Sequence, residues 1–148
     1  WTIAAFLVII FVYDLKYYLV LDTVVLPAVV LAFIVNLFLG FSFLNLLLAA
    51  VVGGGFFLLQ FVVSKGRWIG GGDIRLGLLM GVFLGWPHLL TALFVAYMLG
   101  AVVSIGLLIA DKKNWSDKVP FGTFLTVATF LVMLYGDQLV NWYWTLLN

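Results

Sequence analysis

The sequence predicts an all-helical membrane protein, a bundle of six spans forming a single domain over residues 1–148. Three observations predict it. The chain is 66% hydrophobic and 9% charged, with a mean hydropathy of +1.28, whereas a soluble domain carries roughly 25% charged residues. A soluble fold of 148 residues could not hide so much apolar surface, so lipid must solvate most of it. The apolar residues fall into six runs, and the seven Lys and Arg flank only alternate connections between them.

A helix rises about 1.5 Å per residue, so roughly 20 residues cross a bilayer. The first run, 1–13, is too short. Opening on Trp1, it reads as the truncated tail of a longer span or a longer protein. The second run, 23–41, meets the length, and Asp22 before it reads as a helix N-cap. The third, 43–64, also meets it and carries Gly53-Gly54-Gly55, a flexible point, a packing notch or both. The fourth, 74–86, is short and rich in small residues, and reads as starting inside the protein. Its Gly77, Gly81 and Gly85, spaced by four, form a groove that a neighbouring backbone can enter. The fifth, 88–110, meets the length and repeats the small-residue spacing at Ala96 and Gly100. The sixth, 119–147, exceeds one span, and Gly136-Asp137-Gln138 marks where it reaches water. Asn36 and Gln60 read as hydrogen-bonding between helices. Asp137 reads as a loop residue, and His88 as a surface residue on the face away from the basic connections.

Six alternating spans place every cation on one side: Lys16, then Lys65, Arg67 and Arg75, then Lys112, Lys113 and Lys118. The opposite connections, Gly40-Phe41-Ser42 and Gly85-Trp86-Pro87-His88, hold no Lys or Arg. The positive-inside rule therefore puts the basic side in the cytoplasm and both termini outside. Aromatic residues mark both interfaces, with Tyr17, Tyr18, Trp68 and Trp115 inside and Trp86, Trp142 and Trp144 outside.

Composition also narrows the chemistry. The chain has no cysteine, which excludes disulfides, thiolate catalysis and Cys-ligated zinc in this segment. A lone His88 argues against a His-based metal site or a Ser-His pair, and no metal, no cofactor and no nucleic acid is expected. All six acids are Asp, and two of them, Asp14 and Asp73, sit where an apolar helix meets water. Ionisable groups there are costly and are usually functional or paired. The topology carries both to the cytoplasmic side. Two carboxyl groups close enough to share a proton titrate as a unit, the arrangement an aspartic protease needs. Gly70, Gly71 and Gly72 before Asp73 permit backbone conformations closed to other residues and keep bulky side chains away.

The ordered set is Asp14-Leu15-Lys16, Asp22 six residues after Lys16, Gly70-Gly71-Gly72-Asp73-Ile74-Arg75, and Val119-Pro120-Phe121-Gly122. Together these stretches resemble the type IV prepilin peptidases, bacterial membrane aspartic proteases of the GxGD kind related to archaeal preflagellin peptidases. The resemblance runs over nearly the whole chain. It implies that Asp14 and Asp73 are the catalytic pair and that Pro120-Phe121-Gly122 helps line the active site. It also implies a substrate, the basic leader of a type IV prepilin or a pseudopilin of type II secretion, cut at the cytoplasmic face of the inner membrane after a glycine. Leu21 stands where the family commonly has Pro. Nothing matches the family's upstream Gly-Asn motif or its four-cysteine zinc site, so the likeness covers the peptidase core alone.

Other polar residues read more blandly. Lys16 and Arg75 each follow an aspartate by two positions, which faces them away from it on a helix. They read as anchors reaching lipid phosphates. The stretch from Asp111 to Lys118 reads first as a solvated loop, with Asp111 and Asp117 as second-choice contacts for a basic leader. Two other functions share parts of this pattern. A presenilin-like GxGD protease is echoed by Tyr13-Asp14, but the Pro-Ala-Leu motif of that group is missing. A small Asp-dependent ion or proton transporter would place its site near the midplane between broken helices, not at the membrane edge. Oligomeric state has no signal in the sequence.

Overall fold

The computed structural model describes residues 2–110 and 119–147, with the side chains of 143, 144, 146 and 147 outside the description. Asp111, Asp117 and Trp115, with the loop that holds them, lie outside the described residues, as does the side chain of Trp144. Among the described residues the chain forms six α-helices and no strand. They are α1 (Thr2–Tyr17), α2 (Asp22–Phe38), α3 (Phe43–Ser64), α4 (Gly71–Leu84), α5 (His88–Ile109) and α6 (Phe121–Leu147).

Three helical stretches are long and apolar enough to cross a membrane: Phe43–Ser64, His88–Ile109 and Phe121–Trp142. Helix α1 has 16 residues and α4 has 14, as the short first and fourth runs lead one to expect. The second run differs from expectation. Leu39 and Gly40 leave the helix, Gly40 at φ +90°, so α2 holds only 17 residues.

The fourth helix is the centre of the bundle and packs against α2, α3, α5 and α6. Its buried face includes Leu76, Leu79, Met80 and Val82. Its closest partner is α3. The glycine row acts as the sequence predicts: a methyl on Gly77 would collide with the Gly53 carbonyl, and one on Gly81 with the Ala49 carbonyl. Gly53-Gly54-Gly55 is thus a packing notch within an unbroken helix, with Gly53 and Gly54 against α4 and Gly55 in open space. Small residues matter here because lipid drives no helix association, so close van der Waals approach must supply it. Gly100 on α5 likewise receives the rings of Phe121 and Phe124 from α6.

Asn36 confirms its predicted role. It donates from Nδ2 to the Val82 and Phe83 carbonyls, at 2.8 and 2.7 Å, across α2 and α4. Those carbonyls belong to the last turn of α4, whose acceptors have no partner within the helix.

Two expectations are overturned. Asp22 is not an N-cap: Leu21 holds that position, and Asp22 starts the helix and forms an ion pair with Arg75 of α4 at 2.5 Å. Arg75 is correspondingly held by a protein carboxylate. Asp137 is not in a loop. The helix bends at Tyr135 (φ −127°, ψ 15°) and continues, leaving Asp137 within it and 3.1 Å from His88 Nε2. The apolar residues after Gln138 extend the helix beyond the bend that Gly136 accompanies.

Candidate active site

The C-terminal end of α1 and the N-terminal ends of α4 and α6 converge. Asp14 lies within α1, three residues before its end, and is 5% exposed. Its Oδ2 accepts two hydrogen bonds from Thr123, from the backbone N at 2.6 Å and from Oγ1 at 3.0 Å. Helix α6 begins directly after Pro120, so Thr123 N belongs to its first turn, where N–H groups have no helical acceptor. The carboxylate of one helix therefore satisfies the free donor of another.

Gly122 makes this contact possible. A Cβ there would stand 2.9 Å from Asp14 Cγ and Oδ2 and 2.9 Å from Leu76 Cδ1. Pro120-Phe121-Gly122, noted in the sequence, thus contributes one glycine against Asp14 and two residues, Pro120 and Phe121, to a cavity wall.

Asp73 is 7% exposed in the first turn of α4, where its Oδ2 accepts from Gly70 N at 2.9 Å. Of the two roles the sequence suggests for the three glycines before it, freedom from bulk is used and backbone freedom is not. Gly70 has φ −82°, open to any residue, and Gly71 and Gly72 are already helical. Gly72 is the one that space requires. A methyl on Gly72 would come 2.6 Å from Val20 Cβ, while Gly71 has nothing within 4 Å and leaves the cavity open beside Asp73.

Asp14 and Asp73 line one cavity of about 790 Å³, within the size range of about 300–1,000 Å³ usual for ligand pockets. The connection between α1 and α2 contributes Tyr18, Leu19 and Val20, and the connection between α3 and α4 contributes Gly66 to Gly70. Gly66, at φ +72°, ends α3 in a left-handed turn by donating to the Phe61 carbonyl at 2.8 Å. Arg67 and Arg75 also line the cavity, so the cationic connection and the acidic pair share one end of the bundle. Among the described residues no group of three or more His, Cys, Asp or Glu is placed to hold a metal ion.

Thr123, which holds Asp14, and the cavity-wall residues Tyr97 and Gln60 carry roles at the site that the sequence does not announce. Thr123 follows Pro-Phe-Gly and opens a Thr123, Thr126, Thr129 series spaced by three, a polar stripe in an apolar run that could have flagged it. Thr126 and Thr129 bond carbonyls of their own helix, and Thr123 alone of the three reaches Asp14. Tyr97 sits mid-helix with no distinguishing pattern. Gln60 makes the interhelical contact its sequence position suggests, with Tyr97.

Comparison with known proteins decides the family. The sequence profile of the type IV leader peptidase family matches residues 1–105. This chain belongs to that family. Similar proteins include a prepilin leader peptidase/N-methyltransferase of Aeromonas hydrophila, 32% identical over 140 residues, covering 89% of this chain and 47% of that protein. Another, from Stutzerimonas stutzeri, is 32% identical over 136 residues, covering 88% of this chain and 47% of that protein. A Bacillus subtilis relative of the same name is 29% identical over 97 residues, 66% of this chain and 39% of that protein. The chain thus spans about half the length of the curated relatives it matches. No solved structure matches it. Membership in a protease family, joined to three span-capable helices, makes this an integral-membrane member of the family.

Proposed function

We propose that this chain is a single-domain aspartic endopeptidase, with Asp14 and Asp73 as its catalytic pair. It removes the basic leader of type IV prepilins or pseudopilins at the cytoplasmic face of the inner membrane. The observation that carries the reading is that two buried carboxyl groups, on helices remote in the chain, line one cavity. Relatives named prepilin leader peptidase supply the substrate class. The cationic residues at the same end support the orientation, because Arg67 and Arg75 belong on the cytoplasmic side of a six-span arrangement.

In this reading a water molecule sits between the two carboxyl groups. The ionised member takes a proton from the water, whose oxygen attacks the scissile carbonyl carbon. The protonated member gives its proton to the carbonyl oxygen, producing a neutral tetrahedral diol. On collapse one diol hydroxyl gives its proton to the ionised carboxylate as the carbonyl re-forms and the C–N bond breaks, and the protonated carboxyl gives its proton to the leaving amine. Thr123 holds Asp14 in place with two donors, and Gly70 N holds Asp73 with one.

The test is co-expression with a prepilin carrying its leader, watching for the size shift on cleavage. Asp14→Asn and Asp73→Asn should each yield a membrane-inserted protein that no longer cleaves. Asp22→Asn, which removes only an exposed ion pair worth at most about 1 kcal/mol, should still cleave. Full activity of either dyad variant would refute the proposal.

A further inference from the structure

Gln60 stands in the cavity wall with half of its amide unused. Its Oε1 accepts from the Tyr97 hydroxyl at 2.9 Å. Its Nε2 is buried and has no partner, the one buried side-chain polar atom so placed among the described residues. The buried polar side chains elsewhere in the bundle, Asn36, Thr123, Thr126 and Thr129, all find acceptors. A buried donor left unpaired costs on the order of 1–3 kcal/mol, and such exceptions call for a specific cause.

The amide is also held in place. Tyr97 packs its ring against Phe121 at 4.9 Å and against Phe56 at 5.9 Å, so the hydroxyl that binds Oε1 is itself braced by α3 and α6. With the carbonyl end committed to Tyr97, the NH₂ end is the one that lacks an acceptor. The charged side chains of the wall already have protein partners. Arg75 is engaged by Asp22, Arg67 donates from Nε to the Ser64 carbonyl at 3.3 Å, and the two aspartates accept protein donors.

A peptide bond presented for hydrolysis must be extended, because a helix engages its own carbonyls. An extended segment offers an unpaired carbonyl oxygen at every residue. We propose that Gln60 is a substrate-binding residue whose Nε2 donates a hydrogen bond to a main-chain carbonyl oxygen of the peptide in this cavity. The inference rests on the proposed endopeptidase reading and adds to it a residue that recognises backbone, independent of leader sequence.

The experiment measures steady-state cleavage of a synthetic prepilin peptide by the purified full chain in detergent, with wild type and Asp73→Asn as controls. Gln60→Met keeps the length of the side chain and removes the donor. It should raise KM about tenfold, the loss of one hydrogen bond of about 1.4 kcal/mol, with kcat changed less than about threefold. Gln60→Glu keeps an acceptor for Tyr97 and lacks the amide donor; it should raise KM similarly, and it decides the matter if the Met variant fails to fold. Tyr97→Phe should weaken binding in the wild-type background and add less than about twofold to Gln60→Met. Lowered thermal stability with an unchanged KM in either Gln60 variant overturns the inference alone. A wild type that does not cleave, or an Asp73→Asn variant that does, overturns the endopeptidase reading and this inference with it.

Discussion

Thr123 donates twice to a single oxygen of Asp14, from its backbone at 2.6 Å and its hydroxyl at 3.0 Å, across 109 positions of sequence. The pair locks the end of α1 to the start of α6 and sets where one carboxyl group of the proposed dyad points. The two donors differ in how they can be removed, which makes the relationship testable. Thr123→Val should delete the hydroxyl donor and spare the backbone one. Cleavage is expected to fall about tenfold, the order of one hydrogen bond to a charged group, and Thr123→Ser should restore most of it. A Val variant as active as wild type would detach Thr123 from the site.

Gly122 is predicted to tolerate no side chain. The added methyl of Gly122→Ala meets Asp14 and Leu76 at 2.9 Å, so either α6 or the carboxyl group must move. A displacement of this kind can lower turnover by about 100-fold, while circular dichroism should report unchanged helix content. Gly106→Ala is the matched control. It sits in α5 with nothing within 4 Å and should gain stability by about 0.5–1 kcal/mol, the helix preference of Ala over Gly.

Asn36→Leu removes both bonds to the last turn of α4 and leaves two carbonyls without that partner. Loss of about 1–3 kcal/mol is expected, read as a lower midpoint of unfolding in detergent. Because α4 also carries Asp73 at its other end, reduced cleavage at elevated temperature should accompany it.

A dyad that shares one proton predicts a bell-shaped pH dependence of kcat/KM. Activity falls on the acid side as the ionised member gains a proton, and on the alkaline side as the protonated member loses its own. A flat profile across the acid and neutral range would contradict proton sharing.

Much of the fold is legible in the residues themselves. Apolar run lengths marked all six helices, the cation distribution placed Asp14 and Asp73 at one end, and the Gly77–Gly81 row announced a close helix neighbour. These are one-dimensional signals, because hydropathy, charge side and residue size follow directly from composition along the chain. What the glycines before Asp73 do was legible only in part: absence of bulk could be read from the run, the neighbour that requires it could not. Their need is set by Val20 and the cavity, which come from another part of the chain, and the backbone there is ordinary. Asp22 and Asp137 show the same limit: local pattern suggests a cap and a loop, while Arg75 and His88, distant in sequence, turn both into paired residues.

The amino-acid order by itself therefore determined a helical membrane protein with two acids at one end of the bundle, since insertion into lipid depends on each segment's own chemistry. Only the tertiary structure decided which donors hold those acids, that one cavity receives both, and that Gln60 keeps an amide proton in reserve. The physical reason is that hydrogen bonds and steric gaps depend on distances of a few ångströms between helices, and no periodicity within one helix encodes them.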